Sequence, residues 1–407
     1  MKNLRILILT AEYPNPNSTF DTPVVHYYAK EWVKLGFDVR VMHYRSVFPR
    51  VFYFFANHCK QLLKRVFKTD FIPFERLNSS IQYELDGVKV VSRPIFKVFP
   101  HLKYWNATIK KHAQKICSEN RTQEFTPDVI LGHFLNPQLP LLYELKKFYP
   151  ETITSLVLHE NPTVIAGLFG SKAHLYLKSL DHIGFRFEEM KNIFIERFGR
   201  PANLFICPSG IPESYILPSI PAHKFKTEKI SFCFVGMLIP LKNVDILLES
   251  LDLAFPDRNF NLKLVGTGML RESIDKKIAE LNLGECVSME GKMSRDEVQR
   301  VISGADVFVM VSKPEAFGLV YVEAMGKGCL TIGTIGQGID GIIRHGENGF
   351  LCEARNVSSL RDLLKDISAM TYEQKMSVAS KGLDTASGLT DQKVALSYLR
   401  VIKAIND

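Results

Sequence analysis

Two glutamates on either side of a glycine form the strongest chemical pattern in the sequence. In "FVMVSKPEAFGLVYVEAMGKGCLTI", residues 308–332, an apolar run ends in Ser-Lys-Pro before Glu315, and Glu323 follows eight positions later. The run predicts a buried strand, and the segment that begins near Gly318 predicts a helix. The first N–H groups of a helix lack acceptors within that helix and can hold an anionic phosphate. Here these groups belong to Gly318, Leu319 and Val320.

Each glutamate has its own position relative to this predicted helix. Glu323 lies one turn after Leu319 on the same helix face, where its carboxylate can accept hydrogen bonds from the ribose diol of a nucleotide. Glu315 lies on the loop before the helix and can reach a group beyond the phosphates. Either acid alone is equally well explained as a solvated side chain. The pair around a glycine, directly after a buried strand, favours a nucleotide-type ligand.

The alternation of strand-like and helix-length segments along the chain predicts the elements that position these residues. It is typical of parallel sheets covered by helices, in which ligands collect at the carboxyl ends of the strands. We predict an α/β protein with two doubly wound domains, residues 1–212 and 229–390, joined by a linker over residues 213–228 that holds two of the three prolines in "IPESYILPSIPAHKFKTEKI". Residues 391–407 predict a terminal helix that packs back toward the first domain.

The predicted strands are short and rich in β-branched and aromatic residues. In the first half they are Arg5–Leu9, Asp38–His43, Asp128–Gly132 and Thr154–Leu158, with helices at Val24–Leu35 and Pro137–Phe148. In the second half they are Ile230–Val235, Leu262–Val265, Cys286–Met289, Val307–Val311, Leu330–Gly333 and Gly349–Leu351.

Composition is ordinary for a globular enzyme of two domains. The 407 residues are 46% hydrophobic and 23% charged, and the formal charge of +8 suits anionic partners such as nucleotides or a membrane surface. Seven dispersed cysteines without a Cys-x-x-Cys pair predict reduced thiols and a cytoplasmic location. The apolar run near the N-terminus is too short for a signal peptide, and no window predicts a membrane-spanning helix.

The acidic pair and its surroundings resemble the signature of the retaining family 4 glycosyltransferases of GT-B fold. The resemblance rests on Glu315 and Glu323 with seven residues between them, among them Phe-Gly, and on Glu-Ala-Met at the second acid. It extends to "ISFCFVGMLIPLKNVDILLESL", "LKLVGTGMLRESI", "GIIRHGENGFL" and, in the first half, "VLHENP". The implied fold is two Rossmann-like domains that face a central cleft.

The resemblance implies roles for individual residues. Glu323 would bind the nucleotide ribose, Glu315 would contact hydroxyls of the donor sugar, and Lys242 would bind the diphosphate, which a mobile cation can neutralise. His159 would contact the donor sugar and diphosphate from the first domain. The remaining donor-side residues are Phe317, Gly318, Leu319 and Val320, whose backbone would hold sugar and diphosphate, and Gly236, Gly291 and Met293, the last two near the base. Acceptor-side candidates are His133, Asn15 and Thr22.

The implied mechanism needs no enzymic base, because the leaving phosphate accepts the proton of the acceptor. The implied donor is a UDP- or GDP-linked sugar, and the acceptor is a glycan or a lipid-diphosphate-linked glycan of a bacterial surface polysaccharide. The sequence has no Asp-x-Asp of the kind that a metal-dependent transferase uses, so we expect no cofactor and no divalent ion. No nucleic-acid partner is predicted.

The sequence departs from the family pattern at two points. Met237 stands where many members have an arginine after the loop glycine, which removes one expected cation. The first loop, "TAEYPNPNSTFDTP", has no glycine where relatives commonly have a Gly-rich turn. Both departures keep open a non-catalytic nucleotide-binding scaffold of the same fold. A nucleotide-sugar epimerase of the same architecture is a further alternative. An NAD-dependent dehydrogenase is not favoured, because "VGTGML" lacks the third glycine of a dinucleotide-binding loop.

One further segment predicts a membrane contact. Residues 44–69, "YRSVFPRVFYFFANHCKQLLKRVFKT", combine aromatic residues at helical spacing with lysines on another face and contain no acid. Such a basic amphipathic segment can lie on an anionic membrane at the inner leaflet, near a lipid-linked acceptor. An ordinary helix that packs its apolar stripe on the sheet explains the same pattern.

Overall fold

The protein is described by a computed structural model that covers residues 4–15, 22–50, 79–99 and 102–405. The chain forms two compact units. The first comprises Met1–Arg186, Met190–Cys207 and Val394–Asp407, and the second comprises Phe187–Glu189 and Pro208–Lys393. The predicted linker, residues 213–228, therefore lies within the second unit, and residues 394–407 lie within the first.

The first unit is built on an eight-stranded sheet in the order β3-β4-β2-β1-β5-β6-β7-β8, parallel except for the β3–β4 hairpin. Its central strands have apolar side chains on both faces, as parallel strands covered by helices require; Ile6, Leu7, Ile8 and Leu9 are all fully buried. The strands are β1 (Arg5–Thr10), β2 (Asp38–Val47), β3 (Ile81–Leu85), β4 (Val88–Phe96), β5 (Val129–His133), β6 (Ile153–Leu158), β7 (His182–Phe185) and β8 (Asn203–Ile206).

Helices cover this sheet. They are α1 (Val24–Lys34), α2 (Asn106–Thr122), α3 (Gln138–Lys146), α4 (Val164–Phe169), α5 (Lys172–Lys178) and α6 (Glu188–Phe198). Part of the terminal helix packs here as well. Its Tyr398 is nearly fully buried and lies with its ring centroid 5.7 Å from that of Trp32, while Trp32 Nε1 donates to the carbonyl of Ala395 at 2.9 Å.

The second unit is built on a six-stranded parallel sheet in the order β11-β10-β9-β12-β13-β14. The strands are β9 (Ile230–Val235), β10 (Phe260–Val265), β11 (Val287–Gly291), β12 (Val307–Val309), β13 (Leu330–Thr334) and β14 (Phe350–Cys352). The helices are α7 (Val244–Ala254), α8 (Arg271–Glu280), α9 (Arg295–Ser303), α10 (Leu319–Gly326), α11 (Val357–Ala369) and α12 (Tyr372–Ser387). The terminal helix, α13 (Asp391–Val401), begins in this unit, and its residues from Val394 onward belong to the first. Sequence signals explain several boundaries, since Ser294 with Glu297 and Thr371 with Gln374 form capping boxes.

All ten predicted strands are present, and most boundaries shift by one to three residues. The sequence missed β3, β4, β7 and β8, as well as α2. Residues 44–47 of the predicted amphipathic segment belong to β2 instead, because their side chains continue the strand register with β4. Residues 51–69 of that segment lie outside the described residues. Within the described ranges, no helix combines the length and hydropathy that crossing a bilayer requires.

The segment predicted as a linker is fastened to the second sheet by the buried carboxylate of Asp306. Its Oδ1 accepts from the amide of Phe225 at 3.0 Å, and its Oδ2 accepts from the amide of Ser231 at 3.0 Å and from the Thr227 hydroxyl at 3.3 Å. Lys224 is also buried, and its Nζ donates to two backbone carbonyls at 3.1 Å. The prolines of this segment indicated a linker. Its hydrogen bonds to Asp306 and through Lys224 instead make it part of the second unit.

We expect Asp306→Ala to lower the free energy of unfolding by about 3 kcal/mol, because three donors lose a charged acceptor in a buried place. Urea denaturation measures the change. Asp366→Ala, which removes an exposed carboxylate from α11, is the matched control and should change stability by less than about 0.5 kcal/mol. Equal stability of the two variants would contradict the anchoring role of Asp306.

Candidate functional site

The second sheet has a point at which the direction of strand addition reverses. Strands β10 and β11 lie on one side of β9, and β12, β13 and β14 lie on the other. The loops that leave β9 and β12 therefore diverge at their carboxyl ends and leave a crevice, which is the usual ligand site of an open α/β sheet. The predicted donor-side residues Lys242 and Glu315 lie on these two loops.

Lys242 and Glu315 form an ion pair across this crevice. Lys242 Nζ lies 2.6 Å from Glu315 Oε2, and the two side chains are only 16% and 14% exposed. Lys242 ends a short 3₁₀ turn, and the next residue, Asn243, donates from its side chain to the carbonyl of Val311 at 2.7 Å. This hydrogen bond from a side chain to a backbone carbonyl also holds the two loops together. An ammonium has three donors, so Lys242 can hold Glu315 and still donate to a ligand.

Residues that the sequence analysis did not single out hold Glu315 in place. The Ser312 hydroxyl donates to Glu315 Oε2 at 3.3 Å, and the amide of Glu315 donates to Gln337 Oε1 at 2.9 Å. The carbonyl of Glu315 accepts from the amide of Gly338 at 2.9 Å. Gln337 directly follows β13, so the rule that selected loops at the carboxyl ends of strands was sufficient to find it. Ser312 stands in the quoted motif itself.

Helix α10 begins where the sequence predicted. Its N-cap is Gly318, whose φ of +75° is readily adopted only by glycine. A Cβ at this position would lie 2.4 Å from Cε2 of Tyr321, whose ring is fully buried. The Tyr321 hydroxyl donates to the carbonyl of Met310 at 2.6 Å and so fixes the helix against the end of β12. Leu319 and Val320 are half-buried in the first turn, while Phe317 is buried in the core.

Glu323 lies in the second turn of α10 and is half-buried. Gln299, on α9, donates from Nε2 to Glu323 Oε2 at 2.8 Å. Burial raises the pKa of Glu323 above its ordinary value, and the charges of Arg295 and Lys327 together with the Gln299 hydrogen bond oppose that rise. Gln299 was missed because it comes from the preceding helix, at no fixed spacing from Glu323.

Within the described ranges, no three His, Cys, Asp or Glu side chains cluster as ligands for a metal ion.

The loops after β9, β10 and β11 lie against each other through backbone contacts. The amide of Gly236 donates to the carbonyl of Val265 at 3.0 Å, and that of Gly266 donates to the carbonyl of Gly291 at 2.8 Å. A Cβ on Gly266 would lie 1.8 Å from the carbonyl oxygen of Gly236, so this approach requires glycine. Met237, at the place of the expected arginine, is 63% exposed. Met293 is half-buried two residues after β11.

In the first unit, the two predicted histidines lie together at the carboxyl ends of β5 and β6. His133 Nδ1 lies 3.2 Å from His159 Nε2, and the ring of His159 stacks on that of Phe134 at 4.1 Å between centroids. His133 is fully buried under the ring of Tyr28. The acceptor-side role that the sequence suggested for His133 therefore does not fit its position, because it contacts His159 and has no exposed surface with which to contact a substrate.

Both histidines are held in the neutral form. Burial lowers the pKa of His133 to about 3, and the charge of Arg186 adds to the effect. Burial also lowers the pKa of His159 well below its ordinary value, followed by the charge of Arg186. Two neutral imidazoles can share one hydrogen bond, in which one ring donates and the other accepts. His159 is thereby oriented by His133.

The two remaining acceptor-side candidates flank residues 16–21, which lie outside the described residues. Asn15 and Thr22 are both half-buried. The Thr22 hydroxyl accepts from the amide of Val24 at 3.5 Å, at the start of α1, which is a local role at a helix end. The structure therefore brings together Lys242 and Glu315 in one unit and His133 and His159 in the other.

Part of this chain is similar to known glycosyltransferases. Residues 218–381 match the family model described as Glycosyl transferases group 1. The chain is 29% identical over 174 residues to an uncharacterized glycosyltransferase of Methanocaldococcus jannaschii, covering 43% of this chain and 48% of that protein. It is 32% identical over 145 residues to the N-acetyl-alpha-D-glucosaminyl L-malate synthase of Bacillus anthracis, covering 35% of this chain and 37% of that protein. The chain thus matches less than half the length of these relatives.

Among solved structures, the Anabaena protein HepE in complex with UDP and glucose resembles the whole chain. The TM-score is 0.62 at 16% sequence identity, over 99% of this chain and all of that one. At this identity the likeness concerns the fold alone. It confirms the predicted fold class, GT-B with two doubly wound Rossmann-like units.

We expect Gly318→Ala to lower the free energy of unfolding by about 2–4 kcal/mol, because alanine must adopt a left-handed conformation and its Cβ meets the buried ring of Tyr321. Gly284→Ala is the control, since a Cβ there has no heavy atom within 4 Å. Urea denaturation of both variants measures the difference. If the two variants are equally stable, the helix start does not depend on Gly318.

Proposed function

We propose that this chain, whose residues 218–381 match the family model described as Glycosyl transferases group 1, transfers a sugar from a nucleotide-sugar donor with retention of configuration. The observation that carries the proposal is the ion pair of Lys242 with Glu315 beside the start of α10. It combines a cation, an anion and helix N–H groups at the crevice where the strand order reverses. Such a set suits a ligand that has both a diphosphate and hydroxyl groups.

Each group has a proposed role in donor binding. The N–H groups of Leu319 and Val320 and the ammonium of Lys242 bind the diphosphate. Glu323 accepts hydrogen bonds from the ribose hydroxyls with Gln299 fixing its orientation, and Glu315 accepts from hydroxyls of the donor sugar. These are hydrogen bonds to charged groups, which are stronger than neutral ones.

In the proposed reaction the bond between the sugar and the diphosphate lengthens first, and negative charge develops on the departing phosphate. Lys242 and the N-terminus of α10 stabilise this charge from positions that are already fixed. The departing phosphate takes the proton of the acceptor hydroxyl as the new glycosidic bond forms. Glu315 and Glu323 are therefore binding groups and not the acid and nucleophile of a glycosidase. Neutral His159 is proposed as a further contact of the donor sugar, on the strength of the family resemblance.

The proposed donor is UDP- or GDP-linked, and the proposed acceptor is a glycan or a lipid-diphosphate-linked glycan in the synthesis of a bacterial surface polysaccharide. The Anabaena protein of similar fold forms a complex with UDP and glucose, so UDP-linked sugars are the first donors to test. Because Lys242 and the helix N-terminus can neutralise the leaving group, the proposed reaction needs no divalent ion. Use of a nucleotide-sugar supports a cytoplasmic location, and a lipid-linked acceptor would bring the enzyme to the inner leaflet.

Donor binding is tested by thermal denaturation with UDP, GDP, ADP and their sugar conjugates. A ligand at a hundred times its dissociation constant stabilises the protein by about 2.7 kcal/mol, which raises the melting temperature by a few degrees. We expect one nucleoside diphosphate to do so. If no nucleoside diphosphate stabilises the protein, it is not the enzyme proposed. If one nucleotide binds but no donor and acceptor give turnover, the protein is a nucleotide-binding scaffold and not the enzyme.

With that donor, we expect Lys242→Ala to lower kcat about 10²–10³-fold, because one fixed donor to the departing phosphate is lost. Release of the nucleoside diphosphate in the presence of acceptor measures the rate. Lys276→Ala, which removes an exposed lysine of α8, is the control and should keep full activity. An unchanged kcat in Lys242→Ala would remove Lys242 from the mechanism.

The raised pKa of Glu323 predicts a pH dependence of nucleotide binding. Only the ionised carboxylate accepts from both ribose hydroxyls, and a raised pKa means that it becomes protonated at a higher pH than an ordinary glutamate. The affinity for the nucleoside diphosphate should therefore fall as the pH drops through this pKa. Isothermal titration calorimetry between pH 8 and pH 5 measures the fall, on the order of tenfold per pH unit below the pKa.

Glu323→Gln is the control for this pH dependence. It keeps the shape of the side chain and removes its titration, while protonation of the nucleotide phosphate remains common to both proteins. We expect weaker binding at pH 8 and a shallower acid limb in the variant. Identical pH profiles would show that Glu323 does not contact the ribose in its ionised form.

A further inference from the structure

The first unit contains a cavity away from the carboxyl ends of its strands. It encloses about 560 Å³, within the range of small-molecule sites. Its floor is the face of β2 and β4 on which α2 packs, near the first residues of both strands, since Arg40 and Lys89 are register partners there. His133 and His159 lie at or just beyond the opposite ends of their strands, so the cavity is distinct from the site described above.

Three cations line this cavity, and two are held in fixed positions. The guanidinium of Arg40 lies 3.9 Å from the ring centroid of Phe125 and donates to Gln123 Oε1. Arg93 is only 3% exposed and is paired with Glu119 of α2. Lys89 is exposed at the rim, directly opposite Arg40 across the strand pair. The arginines are therefore pre-organised, which lowers the entropy lost when a ligand binds.

The hydrogen-bonding capacity of the two arginines is incompletely used. Nε of Arg40, and Nε and Nη1 of Arg93, are buried and make no hydrogen bond of good geometry among the residues that the structure describes, although the Tyr44 hydroxyl lies beside Arg93. A buried donor without an acceptor costs about 1–3 kcal/mol, so these groups indicate a place for an oxygen-rich partner. The carboxylate of Glu119 is paired with Arg93, and the Glu119 side chain is 32% exposed.

The surroundings of Arg93 carry positive potential. His112 lies on α2, and its pKa is lowered to about 4. Burial is the main cause, and the charges of Arg93, Lys115 and Lys111 add to it. Of the groups that line the cavity, three are cationic and two, Glu84 and Glu119, are acidic. Because Asp38 also lies 3.6 Å from Nη2 of Arg40, the preference for an anion rests on the buried donors of the two arginines and not on the net charge of the surroundings.

Three carboxamides and Tyr83, whose hydroxyl donates to the carbonyl of Pro14, also line the cavity. Gln82 comes from β3, and Asn120 and Gln123 come from the end of α2. A carboxamide both donates and accepts, which matches a hydroxyl group, and arginine matches a carboxylate or phosphate through two parallel hydrogen bonds. We infer that this cavity binds an anionic saccharide, a sugar that has a carboxylate or phosphate group. Such binding requires no sugar transfer and so goes beyond the proposed function.

The test measures binding to the full chain by saturation-transfer difference NMR with D-glucuronate, D-glucose 6-phosphate and neutral D-glucose. We expect one or both anionic sugars to bind more tightly than glucose. Binding of glucuronate alone assigns a carboxylate ligand, and binding of glucose 6-phosphate alone assigns a phosphate ligand. Equal affinity for glucose, or binding of none of the three, overturns the inference.

Two variants place the binding in this cavity. Lys89→Gln should raise the dissociation constant of the anionic sugar about threefold to tenfold, because one charged contact at the rim is lost. Arg93→Gln should abolish binding, and Lys89→Gln keeps the test valid if that buried variant does not fold. The matched control is Lys110→Gln, which removes an exposed lysine of α2 outside the lining.

A further variant separates this site from the nucleotide site. Lys242→Ala should bind the anionic sugars as the unchanged protein does, even though its sugar transfer is impaired. If Lys89→Gln and Lys110→Gln bind alike, or if Lys242→Ala loses the binding, the anionic sugar does not bind in this cavity.

Discussion

The ion pair between Lys242 and Glu315 depends on a single feature of chain topology, the adjacency of β9 and β12. These strands are separated by more than seventy residues, yet their carboxyl-end loops meet because the sheet grows in one direction from β9 and then in the other. A lysine and a glutamate 73 residues apart thereby approach to 2.6 Å. Any fold in which β12 paired elsewhere would leave two solvated charges and no site.

Close backbone approach is the second requirement of this region. The loops after β9 and β10 cross where Gly266 lies against the carbonyl of Gly236 with no room for a Cβ on Gly266, and α10 begins at a glycine whose missing Cβ would meet Tyr321. A side chain on Gly266 would push these two loops apart. In the proposed function several N–H groups at fixed spacing bind a diphosphate, so small displacements would disturb the whole set.

Burial gives the charged and neutral groups of the two units different states. In the second unit, Lys242 and Glu315 stay paired, while burial raises the pKa of Glu323 against the pull of nearby cations. In the first unit, burial and Arg186 keep His133 and His159 neutral, so their mutual hydrogen bond orients an imidazole without adding charge. In the arginines that line the cavity on β2 and β4, some buried nitrogen atoms make no hydrogen bond among the described residues, although each guanidinium also has a partner.

The sequence by itself determined the α/β alternation, all ten strands that it predicted and the acidic pair around Gly318, because apolar runs and the Glu-Phe-Gly-Glu spacing are local signals. It did not predict the β3–β4 hairpin or α2, whose exposed faces weaken the apolar pattern. Its prolines indicated a linker over residues 213–228, although Asp306 fastens this segment to the sheet. Only the tertiary structure decided that Gln299 holds Glu323, that Gln337 holds Glu315 and that His133 is a buried support of His159. These partners come from different elements at no fixed spacing, and their contacts exist only once the strand order has set which loops are neighbours.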